Sequence, residues 1–142
     1  MDLKLSDKVV LVTGGTKGIG FAAATAFAEE GAQLIITAST QQSLDDAVAR
    51  LQSTTGVTAD AYLCDVTSDQ AVTDLGATLD SKYDRIDVLV NNAAGKLPTG
   101  DFVTIESQAW LDGWNQKQQC YLRTVQAVFP IMKRQGGGRI VN

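Results

Sequence analysis

The chain has 142 residues, 44% of them hydrophobic and 20% charged, and 12 basic against 16 acidic side chains leave a net charge of −4. This length and balance fit one compact domain with a buried core, and the acidic excess speaks against a nucleic-acid surface, which needs clustered Lys and Arg. Histidine is absent, which excludes Ser-His-Asp and Cys-His nucleophiles and His-ligated metals.

The N-terminal Met1-Asp2-Leu3-Lys4-Leu5 alternates in polarity and has no apolar signal core. No apolar run anywhere approaches a membrane span, so a cytoplasmic protein without a membrane partner is expected. Lys8-Val9-Val10-Leu11-Val12 reads as a first strand, continuous and β-branched as strands covered on both faces tend to be. It breaks at Thr13-Gly14-Gly15-Thr16-Lys17-Gly18-Ile19-Gly20. In the helix that follows, Ile19, Ala22, Ala23, Ala26 and Phe27 form one apolar stripe, and Gly31 suits a left-handed end. Leu34-Ile35-Ile36 reads as a second strand. A helix carrying Leu44, Ala47, Val48 and Leu51 comes next, with Ser43 and Asp46 as its capping pair.

Ala61-Tyr62-Leu63-Cys64 is a third strand ending at Asp65. Ala71, Val72, Leu75 and Leu79 mark a third helix, capped by Thr67 and Gln70. Ile86-Asp87-Val88-Leu89-Val90 is a fourth strand, ending at Asn91-Asn92-Ala93-Ala94-Gly95, and residues 96–101 form a loop with Pro98 and Gly100. A long helix over Ser107–Arg134 puts Trp110, Trp114, Tyr121, Val125, Val128, Phe129 and Met132 on a broad apolar face. After Gly136-Gly137-Gly138, Arg139-Ile140-Val141 begins a fifth strand. Cys64 and Cys120 make no C-x-x-C pair and read as small buried apolar groups in a reducing compartment.

Strands alternating with crossover helices make a single α/β domain over residues 1–142, a doubly wound, Rossmann-type parallel sheet. The glycine turn lies between strand and helix, the context in which such a turn binds a pyrophosphate. Gly14 permits the tight turn, Gly18 the approach of the ligand to the backbone, and Gly20 close helix–strand packing. Free N–H groups and the helix dipole then face the negative charge. The spacing is G-x-x-x-G-x-G, and no G-K-[ST] for a nucleoside triphosphate follows. Glycines kept only for close packing are the alternative.

This turn resembles the cofactor turn of the short-chain dehydrogenase/reductase family. Four later segments agree with it in order: Asp65-Val66, Asn91-Asn92-Ala93-Ala94-Gly95 with Ala94 where a glycine is usual, Trp110 together with residues 126–132, and residues 137–142. The resemblance spans the chain and implies strand order 3-2-1-4-5, the sheet stopping after the fifth strand. It further implies hydride transfer between a nicotinamide coenzyme and a small carbonyl or alcohol, in a homo-oligomer at full length. By the same resemblance Gly14, Thr16, Lys17, Gly18, Ile19 and Gly20 hold phosphates and ribose. Asp65 and Val66 meet adenine, and Asn92, Ala93, Ala94 and Gly95 line the floor under the nicotinamide ribose. Asp65 as a capping aspartate and Asn92 as a strand brace remain alternatives.

An NAD site normally carries an acidic residue at the end of the second strand, whereas Thr37-Ala38-Ser39-Thr40 stands there, with no carboxylate between Glu30 and Asp45. Lys17, Thr16, Ser39 and Thr40 offer a positive charge and hydroxyls to a 2′-phosphate. NADP(H) is therefore expected over NAD(H).

The family's proton donor is a tyrosine with a lysine four residues on, which favours tyrosinate, together with a serine. Val66, Asp87 and Val125 follow Tyr62, Tyr83 and Tyr121 at that spacing. No catalytic residue is therefore assigned and the chain alone is expected to be inactive. Lys117 occupies the position of the family's helix asparagine. The chain is either part of a longer enzyme or a short non-catalytic nucleotide-binding or interaction module. A methyltransferase-like domain fits less well, because it normally wants an acidic residue at Ala38–Thr40. An open fifth strand and an uncovered long helix would leave a lone monomer poorly soluble or dependent on a partner.

Overall fold

A computed structural model describes residues 3–142; Met1 and Asp2, the start of the segment read above for a signal, lie outside the described residues. The elements run β1 (Val9–Thr13), α1 (Gly18–Glu29), β2 (Gln33–Ala38), α2 (Gln41–Thr55), β3 (Asp60–Leu63), α3 (Asp69–Lys82), β4 (Val88–Val90), α4 (Ser107–Arg134) and β5 (Arg139–Val141). The strands form one parallel sheet in the order β3-β2-β1-β4-β5. Register is set by residues such as Leu11, which stands opposite Ile35 on one side and Leu89 on the other.

Alternation along the strands divides the interior in two. Val10, Val12, Leu34 and Ile36 pack with Ala24, Ala28, Leu44, Ala47 and Leu51 under α1 and α2. Val9, Leu11, Ile35 and Leu89 pack with Val72, Leu75, Leu79, Val128 and Ile131 under α3 and α4. β1 is buried at every residue, which is why it reads as an unbroken apolar run. Cys64 and Cys120 are both buried and unpaired, as expected.

Several local expectations are corrected. The face of α1 that enters the core is Gly20, Ala24 and Ala28, not the stripe from Ile19 to Phe27, and Ile19 is 82% exposed. The helix is apolar almost all round, so close approach to the sheet, rather than hydrophobicity, selects its smallest residues. Gly31 does take the left-handed backbone at the end of α1, with φ +81°. The cap of α2 is Thr40, whose hydroxyl accepts from the Ser43 N–H, and that of α3 is Ser68, accepting from Ala71. Both caps lie away from the expected pairs, Thr67 being taken up by Asp65 instead.

Ile86 and Asp87 precede β4, although the Asp87 backbone still bonds Val9 and Arg139. The Asp87 carboxylate accepts the Val9 N–H at 2.9 Å. α4 buries Gly113, Cys120, Thr124, Val128, Ile131 and Met132, whereas Trp110, Trp114 and Phe129 are exposed. Two stripes compete on this helix, and small residues at its contacts decide between them. A Cβ on Gly113 would strike Pro98, and one on Gly76 of α3 would come within 3.1 Å of the Ala127 methyl. β5 is exposed at all three residues and forms the outer edge of the sheet, the open edge anticipated above. No helix among the described residues is long and apolar enough to cross a membrane.

Candidate functional site

The site is built at the carboxyl ends of the strands, where an open α/β sheet leaves a crevice. After β1 the chain turns through Gly14, with φ +63°, and Gly15 donates to the Thr37 carbonyl at 3.2 Å, tying the turn to the end of β2. On its other side the turn is tied to the segment after β4. The Thr13 hydroxyl accepts the N–H groups of Asn92 and Ala93, each at 3.0 Å, and Asn92 Nδ2 donates to the carbonyls of Thr13 and Gly14 at 3.1 Å. Asn92 is thus a brace, the alternative named above. Gly20 completes the junction, since a Cβ there would collide with the Gly14 carbonyl and the Asn92 amide. Its work is packing against the turn and this amide, and it does not line the crevice.

Gly18 differs. Its φ is +54° and nothing lies within 4 Å of where its Cβ would stand, so the backbone is bare toward the crevice. It opens α1, whose N-cap Lys17 makes no side-chain cap and whose first turn carries no acid. The N–H groups of the first turn have no carbonyl a turn earlier to bond, and together with the helix dipole they favour an anion.

The crevice, about 680 Å³, is lined by Gly14, Thr16, Lys17, Gly18 and Ile19 from the turn and by Ser39 and Thr40 after β2. Asp65 and Val66 after β3 and Asn92, Ala93 and Ala94 after β4 complete its walls. Twelve of the fourteen residues singled out in the sequence therefore converge on one cavity. Gly95 lies just beyond, in a side cleft of about 550 Å³ that shares Ser39, Asp65 and Ala94 and is walled by Gln116, Gln119 and Arg123 of α4. Sequence reasoning missed this wall. Its polar positions recur every three or four residues on α4, but nothing local says which way that helix is turned.

Asp65 Oδ1 accepts both the N–H and the hydroxyl of Thr67, at 2.9 and 2.7 Å. These two bonds, aided by the Arg123 charge, hold its carboxyl below the usual range, so it is ionised at neutral pH. Burial, and then the Asp65 charge, pushes the neighbouring Cys64 thiol up to about 11, which makes it an inert part of the wall. Arg123 pairs with Asp69. Lys117 is half-buried, with its ammonium over the Tyr121 ring at 5.8 Å. The crevice therefore offers backbone N–H groups, hydroxyls and one lysine, with its single carboxylate at the β3 end. That donor set suits a phosphorylated nucleotide.

Comparison with known proteins agrees. Residues 8–142 match the short chain dehydrogenase family. Dehydrogenase/reductase SDR family member 4 of Mus musculus is 35% identical over 137 residues, covering 96% of this chain and 49% of that protein. The L-sorbose reductase of Gluconobacter frateurii, solved with NADPH and L-sorbose, superposes with a TM-score of 0.85 at 31% identity, over 99% of this chain and 53% of the other. An NAD+-bound xylitol dehydrogenase gives 0.86 at 32% identity, over 98% and 53%. The chain spans about half the length of the curated relatives it matches. Turn, crevice and match across nearly the whole sequence lead to one conclusion: the chain belongs to the short-chain dehydrogenase family.

Proposed function

We propose that this chain is the coenzyme-binding half of an NADP(H)-dependent oxidoreductase acting on a small carbonyl or alcohol. The observation that carries the reading is the uncapped start of α1, which opens onto a crevice whose β2 side holds Ser39 and Thr40 and no carboxylate. The bare backbone at Gly18 fits a pyrophosphate approaching the N–H groups of Gly18 and Ile19, with Gly14 setting the turn and Gly20 holding it against the Asn92 amide. Lys17, Thr16, Ser39 and Thr40 would hold the 2′-phosphate. A carboxylate in their place would repel it and accept ribose hydroxyls instead. Asp65 and Val66 would meet the adenine, and Asn92, Ala93, Ala94 and Gly95 would floor the nicotinamide ribose. When bound, the coenzyme supplies or accepts the hydride exchanged with the substrate carbon.

Among the structural neighbours one carries NADPH and another NAD+, so the preference for NADP(H) rests on this chain's own residues. None of its tyrosines has a lysine four residues on, and the chain alone is expected to bind coenzyme without turning over. The full-length enzyme is expected to be a cytoplasmic homo-oligomer.

Calorimetric titration tests this. NADPH should bind at least about tenfold tighter than NADH, a difference of roughly 1.4 kcal/mol. Lys17→Ala should remove most of that margin, and raised salt should narrow it in the native chain. Equal affinity for the two coenzymes would end the NADP(H) assignment, and heat from neither would end the nucleotide reading. A carbonyl substrate added to the NADPH complex should leave the nicotinamide absorbance unchanged; its decay would show a proton donor within these residues.

A further inference from the structure

The stretch after β4 carries two adjacent asparagines that brace it in opposite directions. Asn92 ties it to β1 and the glycine turn, as described above. Asn91 ties it the other way and lies away from the crevice. Its backbone N–H donates to the Val141 carbonyl at 2.8 Å, and its Nδ2 donates to Asn142 Oδ1 at 2.8 Å, beyond the end of β5. Its Oδ1 accepts from the Thr124 hydroxyl of α4. Asn91 and Thr124 are 3% and 2% exposed. The Thr124 hydroxyl has one proton, and the carbonyls of Cys120 and Tyr121, at 3.1 and 3.0 Å, are within its reach as well. Of these three contacts of the Thr124 hydroxyl, the one with Asn91 leads from α4 to the sheet.

A buried polar chain of this kind is no better than an apolar one as a source of stability, because each group has given up water. What it adds is geometry. Fully satisfied, it fixes one arrangement of the groups it joins. The three elements joined here are α4, the end of β4 and the end of β5, and the segment held among them continues directly into Ala93, Ala94 and Gly95.

We propose that Thr124 and Asn91 are positioning residues: through Asn142 and the backbone after β4 they set the wall of the crevice that meets the nicotinamide half of the dinucleotide, leaving the adenosine half to the glycine turn and the ends of β2 and β3. This rests on the coenzyme reading above, and its test separates the two. Affinities for NADPH and for adenosine 2′,5′-bisphosphate, which has the adenosine half alone, are measured on the native chain and on Thr124→Val, Thr124→Ser and Asn142→Ala.

Thr124→Val keeps the shape and strands the Asn91 oxygen. NADPH should weaken roughly tenfold, the scale of a buried group left unpaired, while the bisphosphate stays within about twofold. Thr124→Ser should restore the native values. Asn142→Ala, which removes the other bond of the Asn91 amide, should show the same split at about threefold. Unchanged NADPH binding in Thr124→Val, or equal weakening of both ligands, overturns the positioning role. Should Thr124→Val fail to fold, Asn142→Ala decides by the same criterion. If the native chain binds neither ligand, the coenzyme reading falls first and the positioning role with it.

Discussion

The amino ends of α1 and α2 face the same crevice and are finished in opposite ways. α2 is closed by its own residue: Thr40 accepts from the Ser43 N–H and its hydroxyl meets the Ser43 hydroxyl at 2.8 Å. α1 starts at Lys17 with no side-chain cap and with glycine at its first and third positions. A helix start that closes itself gains stability and loses part of its attraction for an anion, whereas one left open keeps its N–H groups for a ligand. In this fold the open start sits between β1 and α1, at the centre of the sheet, and the closed one beside it supplies hydroxyls at the crevice edge.

The largest expected effect comes from altering the open start. Gly20→Ala forces a methyl into the Gly14 carbonyl and the Asn92 amide, and should destabilise the chain by about 2 kcal/mol and abolish coenzyme binding. Gly18→Ala meets no neighbour. It should cost about 1 kcal/mol through its positive φ, and block the dinucleotide out of proportion to that loss. Urea unfolding beside calorimetry separates the pair, and equal stability losses for the two would remove the distinction between packing and access.

Closing the comparison from the other side, Thr40→Ala should lower stability by about 1 kcal/mol through loss of the α2 cap, read as a shift in the urea midpoint. No loss would mean that the hydroxyl serves the crevice alone.

The smallest effect is acidic. The lowered Asp65 pKa means that its bonds to Thr67 contribute stability above the ordinary aspartate value near about 4. That contribution is lost as pH falls through the lower folded value. Native chain and Asp65→Asn should therefore converge in melting temperature as pH drops below about 4. A gap that persists there would assign the effect to something other than this ionisation.

Much of this was legible in the residue string, and for identifiable reasons. Strand residues such as Val9 to Val12 are buried on both faces, so neighbouring context could not reverse their reading. The glycine turn is a local device, its left-handed angles at Gly14 and Gly18 set by residue type, and twelve of the fourteen expected site residues meet in one crevice because strand ends converge in a parallel sheet. Helix orientation was harder. In α1 the apolar residues run around the whole circumference, and in α4 the broad apolar face splits, Val128 and Met132 entering the core while Trp110, Trp114 and Phe129 stay on the uncovered side. The capping pairs of α2 and α3 were misplaced for a related cause. Ser and Thr are frequent at both starts, and which hydroxyl caps depends on where the backbone enters the helix.

Local chemistry thus settled the order of elements, the glycine-rich turn and the absence of a carboxylate after β2. These follow from the conformations each residue type allows and from the charge it carries, whatever lies far along the chain. Three-dimensional packing alone decided that Asn92 braces β1, that Gly20 packs against this amide, and that Thr124 reaches Asn91 across 33 positions. Such contacts join groups distant in sequence, and their pairing is chosen by shape and by the need to satisfy buried polar atoms only after the sheet and helices have come together.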